Sequence, residues 1–510
     1  LSIGVTIVLF SDFVLKTMRA YFLDLAARRI DINVSGQIME RVLGMRLENR
    51  PMSAGSYAAS LSGYQQVVNF TASISLIAMI DFPFVLIFLA VIYWISSPMV
   101  IAVLFCMLVV VFYAYATRNK MQDLAETSFR GGAQKNATLV EALVGLDTLK
   151  SLGAESIMQR RWEQTVAFNA RNSVAERVLA ASNANLAQVM VMFVRVVVII
   201  TGVYLIADQQ LTMGGAIACM MLSMRTMMPI NQLAGLLSSW NNVRSSYAAM
   251  NEIMATPVER PAGAKFITRD KFEGSVEFRD VSFSYPEQQS TALSKVSFKI
   301  QAGERVAILG KIGSGKSTLQ KLAMGLYQST EGSILIDGID IRQIDPAELR
   351  QHIGYVPQDI TLFYGSLREN IVLTHRQAGD AEVLQAAKIS SLSEMVNNHP
   401  QGFDMTIGER GDSLSGGQRK AVALARAVIH SPTMLFLDEP SGSMDNSTEA
   451  VIKRELMDYC QGRTVLLATH RTSMLDLVDR VLVLDKGKLL ADGPKDQVLE
   501  ALRSGKIGKA

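Results

Sequence analysis

The chain has little that could staple it together or draw it to nucleic acid. Its three cysteines, Cys106, Cys219 and Cys460, lie far apart in 510 residues, with neither metal-ligand nor disulfide-framework spacing. The first two sit in apolar runs and read as small buried hydrophobes of a reduced protein. Basic and acidic side chains nearly cancel, 50 against 47, and a formal charge of +3 gives no support for a nucleic-acid partner. The chain opens at Leu1 inside an apolar run without a basic n-region, so this start does not read as a signal peptide; it reads as a cut within a span. What is abundant is apolar: 49% of residues are hydrophobic and the mean hydropathy is +0.21, with the excess crowded into the first half.

That first half reads as membrane. Five apolar segments, 1–15, 70–95, 99–116, 187–207 and 213–237, include runs near the roughly twenty residues a helix needs to cross hydrocarbon. Lys16, Arg19, Arg28, Arg29, Arg41, Arg46 and Arg50 lie between the first two segments, and a longer series from Arg118 to Arg177 lies between the third and fourth. The short links 96–98 and 208–212 carry no Lys or Arg, so the long loops are expected in the cytosol and the short ones outside. An odd number of crossings puts Leu1 outside, and one further span upstream would give six with both ends inside. The long amphipathic loops predict helices that continue below the membrane as stalks. Asp12, Asp81, Arg195 and Arg225 fall within or at the edge of the segments. Asp81 and Arg225 are expected to face a polar translocation path or to form a packing pair, and Arg195 to face protein or water. Met213, Met220, Met221, Met224, Met227 and Met228 crowd the last segment as flexible filling or as an adaptable surface.

The second half changes character. Thr256 to Gly263 reads as a linker, and from about Glu273 the pattern is that of an α/β domain, with strands expected at Val276–Tyr285 and around Ala307, Ile334 and Val465. The expected division is a transmembrane domain at 1–255, a linker at 256–272 and a nucleotide-binding domain at 273–510. Arg305–Leu309 reads as a buried strand, followed by Gly310-Lys-Ile-Gly-Ser-Gly-Lys-Ser-Thr318 and then a helix. This is a complete phosphate loop in the context it needs. Gly310, Gly313 and Gly315 let the backbone wrap phosphates, and Ser314 adds a small polar side chain. Lys316 is placed to reach the outer phosphates and Ser317 to ligate Mg²⁺, with Thr318 following. Met434-Leu-Phe-Leu-Asp-Glu439 is an apolar strand ending in two acids. Asp438 is suited to hold Mg²⁺ and Glu439 to polarise the attacking water.

Leu414-Ser-Gly-Gly-Gln418, in order with these motifs, resembles the signature of ABC ATPases. The resemblance extends to Tyr285 as adenine-stacking tyrosine, Gln358 as Q-loop glutamine and Mg²⁺ ligand, Asp445 in the D-loop and His470 as switch histidine. It implies two ATPase domains meeting head to tail, each ATP held by the phosphate loop of one and Ser415, Gly416, Gly417 and Gln418 of the other. One set of motifs per chain, with Glu439 and His470 both present, then implies a homodimer. Membrane domain before ATPase domain resembles ABC exporters: an all-α transmembrane bundle followed by an α/β P-loop ATPase. Tyr21–Ala27, Gln134–Glu155 and Ala468–Asp479 resemble type I secretion permease/ATPases that export RTX toxins and large adhesins. That implies an exported unfolded polypeptide, a periplasmic membrane-fusion protein, a TolC-like outer-membrane channel, and an inner-membrane setting in contact with lipid and with no nucleic acid. Two departures stand out: Met444 where Leu is usual in the D-loop, and Ser441-Gly442 after the Glu-Pro pair, both bearing on coupling between the ATP sites. A lipid or drug exporter and a peptidase-containing bacteriocin exporter are alternatives of the same architecture. A membrane-anchored ATP-binding regulatory module that does not pump is the alternative of another class.

Overall fold

The computed structural model describes residues 2–51, 57, 63–76, 81–269, 271–286, 288 and 290–504. The chain divides into two compact units, one of Leu1–Met45 and Arg50–Thr256 and one of Arg46–Asn49 and Pro257–Ala510.

Among the described residues the first unit is helical: α1 Ser2–Gly44, α2 Tyr64–Leu76, α3 Phe82–Ile95, α4 Ser97–Val144, α5 Leu146–Ser151, α6 Glu155–Ala207 and α7 Met213–Ala255. Among the described residues, three helical stretches are long and apolar enough to cross a membrane: Ser97–Val144, Glu155–Ala207 and Met213–Ile230. Phe82–Ile95 is a shorter apolar helix. Segment 70–95 is therefore shared between α2 and α3, with residues 77–80, like Leu1 of the first segment, outside the described residues.

At about 1.5 Å per residue, α4 and α6 run roughly 70–80 Å, more than twice the thickness of hydrocarbon, so both extend beyond it as rods. Their core is small. Ile92, Met99, Val103, Cys106, Val194, Val198, Cys219 and Met227 form a buried cluster, while Leu108, Phe112, Tyr115, Val203 and Tyr204 turn outward, the inversion expected where the solvent is lipid. The ion pair differs from the one expected from sequence. Asp81 accepts from Arg19 of α1 at 3.1 Å, not from Arg225. Asp81 is the residue preceding α3, where the helix N-terminus favours a negative charge, and Arg19 completes its neutralisation from the facing helix.

Among the described residues the second unit is built on three sheets. A six-stranded sheet has the order β12-β11-β3-β10-β9-β6, with β3 Arg305–Leu309, β6 Ile353–Val356, β9 Met434–Asp438, β10 Thr464–Ala468, β11 Arg480–Asp485 and β12 Lys488–Pro494. All but edge strand β12 run parallel. A four-stranded antiparallel sheet has the order β2-β1-β4-β5, from β1 Val276–Ser284, β2 Thr291–Ile300, β4 Glu331–Ile336 and β5 Ile339–Asp340. β7 Gly365–Ser366 and β8 Thr406–Ile407 pair separately. Alternate residues of the parallel strands enter two cores: Ala307, Leu435, Leu437, Val465 and Leu467 pack on one face, Val306, Ile308, Phe436, Leu466 and Leu482 on the other. Burial on both faces is why these strands read as unbroken apolar runs. The first face is covered by α9 Gly416–Val428 and α10 Asn446–Tyr459, the second by α8 Lys316–Ala323 and the antiparallel sheet.

Candidate active site

Sheet order creates the site. β3, β10 and β9 are adjacent and parallel, and Ala468 pairs with Ile308 on one side and Asp438 on the other. Their carboxyl ends therefore lie together, the position at which open α/β sheets bind ligands. The segments leaving them are the Gly310 loop, Asp438-Glu439 and Thr469-His470.

The phosphate loop is fixed by space as well as by conformation. Gly315 has φ 104, and a Cβ there would stand 2.7 Å from Leu293 Cδ2 and 2.9 Å from the Ala292 carbonyl; a Cβ on Gly310 would stand 2.3 Å from the Leu484 carbonyl. Gly315 starts α8, whose free N–H groups face the loop. Lys316 donates to the carbonyls of Gly310 at 2.8 Å and Lys311 at 3.0 Å. Thr318 is buried and shares a 3.0 Å hydrogen bond with the Tyr285 hydroxyl, which sets that ring beside the loop. Tyr285, Gly310, Gly313–Thr318, Gln358, Asp438, Glu439 and His470 line one cleft of about 850 Å³. Lys486 lines it too, a cation with no motif around it in the sequence.

At the floor, Asp438 is 1% exposed. Burial pushes its carboxyl above the ordinary range, against a hydrogen bond from Ser317 that favours the charge, and the neighbouring Glu439 adds to the upward push. Its Oδ2 is buried without a hydrogen-bond partner. A buried acceptor of this kind, beside the Ser317 hydroxyl in a cleft that Gln358 also lines, fits a hard divalent cation that takes one protein carboxylate and completes its shell with phosphate and water. Glu439 has φ 50, a left-handed conformation at the sharp turn after β9. Its Oε1 accepts from His470 Nδ1 at 2.7 Å, so the structure brings these two expected site residues into direct contact.

The signature residues are elsewhere. Ser415 caps α9, its hydroxyl accepting from the Gln418 amide at 3.2 Å while Gln418 Oε1 accepts from the Ser415 N–H at 2.9 Å. Ser415, Gly417 and Gln418 line a second cleft of about 520 Å³ with Met444 and Asp445, and the nucleotide cleft contains none of them. Gly416 and Gly417 are pressed on the D-loop, where a Cβ on Gly417 would stand 3.1 Å from the Ser443 carbonyl. Asp445 caps α10, and hydrogen bonds from Ser447 and Thr448 hold its carboxyl well below the usual range.

Three supports carry no signal in the motifs. Lys420 is 8% exposed and its ammonium donates to the Glu439 backbone carbonyl. Its position two residues after the signature falls in no motif. Gln320 is fully buried and its amide donates to Leu437 and Leu466 carbonyls, 3.0 Å each, tying α8 to β9 and β10. Glu449 takes Arg471 and Ser473; burial pushes its carboxyl up, but these bonds outweigh it and hold the group below its ordinary range.

Comparison with known proteins agrees with this geometry. The ABC transporter family model matches residues 293–442 and the ABC transporter transmembrane region model matches residues 1–230. Leukotoxin translocation ATP-binding protein LktB of Pasteurella haemolytica-like sp. (strain 5943B) is 30% identical over 503 residues, 98% of this chain and 70% of the relative. The protein of the same name from Bibersteinia trehalosi is 30% identical over 507 residues, with the same shares. Among solved structures, a bacterial Atm1-family ABC exporter with ATP bound superimposes with a TM-score of 0.83 at 27% identity, covering 94% of this chain and 84% of that one. The chain belongs to the ABC transporter family, as an exporter of the bacterial inner membrane that couples ATP hydrolysis in its α/β unit to transport through its helical unit.

Proposed function

We propose that the protein is a homodimeric type I secretion exporter that drives an unfolded RTX-type toxin or adhesin across the inner membrane. The single observation that carries the homodimer is the separation of the two clefts: Gly310–Thr318, Asp438, Glu439 and His470 line one, and Ser415, Gly417 and Gln418 line the other. A signature that does not serve its own phosphate loop is explained if it serves that of a second copy. The cargo class is supported by the leukotoxin translocation proteins, to which 98% of the chain aligns. A membrane-fusion protein and a TolC-like channel are the partners this reading requires. The working division is a transmembrane domain at 1–255, a linker at 256–272 and an ATPase domain at 273–510 on the cytosolic side, where the Lys- and Arg-rich loops also belong.

Each residue then has a task. Tyr285 stacks on the adenine, and the Gly310–Thr318 backbone with Lys316 cradles the phosphates. Mg²⁺ fits at Ser317, Asp438 and Gln358, where it would neutralise charge developing on the phosphates. Glu439 orients and polarises water, held by His470 through their 2.7 Å contact. Ser415–Gln418 of a second copy present α9's N-terminal amides to the γ-phosphate, and Asp445 stiffens the D-loop turn that joins both clefts.

The 0.83 superposition on an Atm1-family ABC exporter is a match of architecture that does not separate polypeptide cargo from the lipid or drug cargo of the alternative reading. ATPase stimulation in reconstituted vesicles separates the two. Stimulation by an unfolded C-terminal fragment of an RTX-type protein supports secretion; stimulation only by lipids or hydrophobic amines overturns it.

A further inference from the structure

The apolar segments contain two cations and two anions, and their pairing is unequal. Asp12 is held by Lys16 at 2.6 Å and Asp81 by Arg19 at 3.1 Å, both partners lying outside the apolar segments. Arg195 and Arg225 are the cations, and segments 99–116, 187–207 and 213–237 contain no Asp or Glu at all. Arg195 contacts the sulfur of Met224 at 3.5 Å, and among the described residues no carboxylate pairs with it or with Arg225.

Their depths match. Arg195 stands about 12 residues before the end of α6, and Arg225 about 12 residues after the start of α7, on either side of the short link 208–212. At about 1.5 Å per residue both lie on the order of 18 Å from that link, close to the middle of a roughly 30 Å hydrocarbon layer. A stretched arginine spans only about 6–7 Å and cannot carry its charge to the surface from there. The Arg195–Met224 contact sets the first guanidinium one residue from the second arginine's backbone. Both arginines are exposed, and on α7 Arg225 shares an exposed stripe with Ile217, Met221 and Met228. Intramembrane charges face a protein interior or an aqueous path. Among the described residues both acids of the spans are already paired, which leaves these two guanidiniums open to a counter-charge carried by what passes.

We propose that Arg195 and Arg225 form a cationic station at mid-depth of an aqueous path, which binds carboxylate side chains of the polypeptide in transit and so selects acidic cargo segments. This rests on the polypeptide-export reading above. The guanidinium fork suits a carboxylate of any residue spacing, and the flanking methionines adapt to whatever side chains accompany it.

The test uses the full-length protein in nanodiscs and three synthetic unstructured polypeptides of equal length, built of Gly and Ser with either Asp, Asn or Lys at every third position. The readout is the half-saturating concentration for ATPase stimulation. For the unaltered protein the Asp polymer should act at least tenfold below the Asn polymer, and moving from about 50 to 500 mM NaCl should erase the difference. Arg195→Gln with Arg225→Gln should bring the two within twofold while basal ATPase stays within twofold. Arg195→Lys with Arg225→Lys should keep the preference, and Arg195→Glu with Arg225→Glu should move it to the Lys polymer. If a variant fails to assemble, the salt titration and the Lys pair still decide. Equal response of the unaltered protein to all three polymers, or an Asp preference that survives in the Gln pair, overturns the station while leaving polypeptide export standing. No stimulation by any polymer overturns the export reading and the station with it.

Discussion

Lys420→Met tests how the signature helix holds Glu439, the carboxylate proposed to polarise the attacking water. The Lys420 ammonium, on α9, donates to the Glu439 carbonyl, the peptide that carries the left-handed turn after β9. Gly442 leaves room for it: a Cβ at that position would stand 2.5 Å from Lys420 Nζ. A hydrogen bond from a charged donor is worth about 1.5–3 kcal/mol. Methionine keeps most of the stem's volume and removes the donor. If that energy is lost in the geometry of the transition state, kcat for ATP falls by about 10- to 100-fold. The KM for ATP should stay within about twofold, because Lys420 is absent from the nucleotide cleft. Burial lowers the Lys420 pKa below its ordinary 10.5, so between the lowered value and 10.5 the unfolded chain binds the extra proton and stability rises with pH. The Met variant should lose that rise. Steady-state kinetics on the reconstituted protein and thermal unfolding between about pH 7 and 10.5 read both effects. An unchanged kcat, or a loss confined to KM, refutes the coupling.

Other outcomes follow from the same geometry. Glu439→Gln should lower ATP turnover by about 10²- to 10⁴-fold while nucleotide binding, followed by fluorescent ATP, is retained. Asp438→Asn should stabilise the nucleotide-free protein at neutral pH: the raised folded pKa means that stability present at acid pH is lost as pH rises through it, and the amide carries no such loss. The same variant should abolish the upward shift in melting temperature produced by Mg²⁺ with ATP, read by calorimetry. Gly417→Val places a branched side chain against the Ser443 carbonyl and should abolish ATP-dependent closure of the proposed dimer, read by cross-linking, while one-site nucleotide binding persists. Exchanging the charges of Arg19 and Asp81 in one double variant should restore the expression that either single change loses, since their 3.1 Å contact is between helices.

The nucleotide cleft was legible because its parts are local and ordered. A phosphate loop must follow a strand and open a helix, and β3 and α8 do so around Gly310–Lys316. Met434–Asp438 was legible as a strand because burial on both faces demands an unbroken apolar run. What brings β9 and β10 beside β3 is long-range pairing, Ala468 with both Ile308 and Asp438, which no local pattern encodes. Lys420 was unreadable for the same reason: no motif contains it, and only the fold brings its ammonium to the Glu439 carbonyl. In the membrane half, hydropathy located the apolar segments but not their partners. Asp81 and Arg225 looked matched because both are rare charges in apolar sequence, whereas Arg19, just past a segment's end, is the one within reach of Asp81.

The central claim is that ATP turnover moves a polypeptide, and inside-out vesicles test it most directly. A fluorescent, unfolded C-terminal fragment of an RTX-type protein is presented on the ATPase side and its protease-protected fraction is followed with time. The account predicts protection that grows with Mg-ATP and is absent with Glu439→Gln. Protection that develops equally without ATP, or none at all while lipids or amines are pumped, contradicts it.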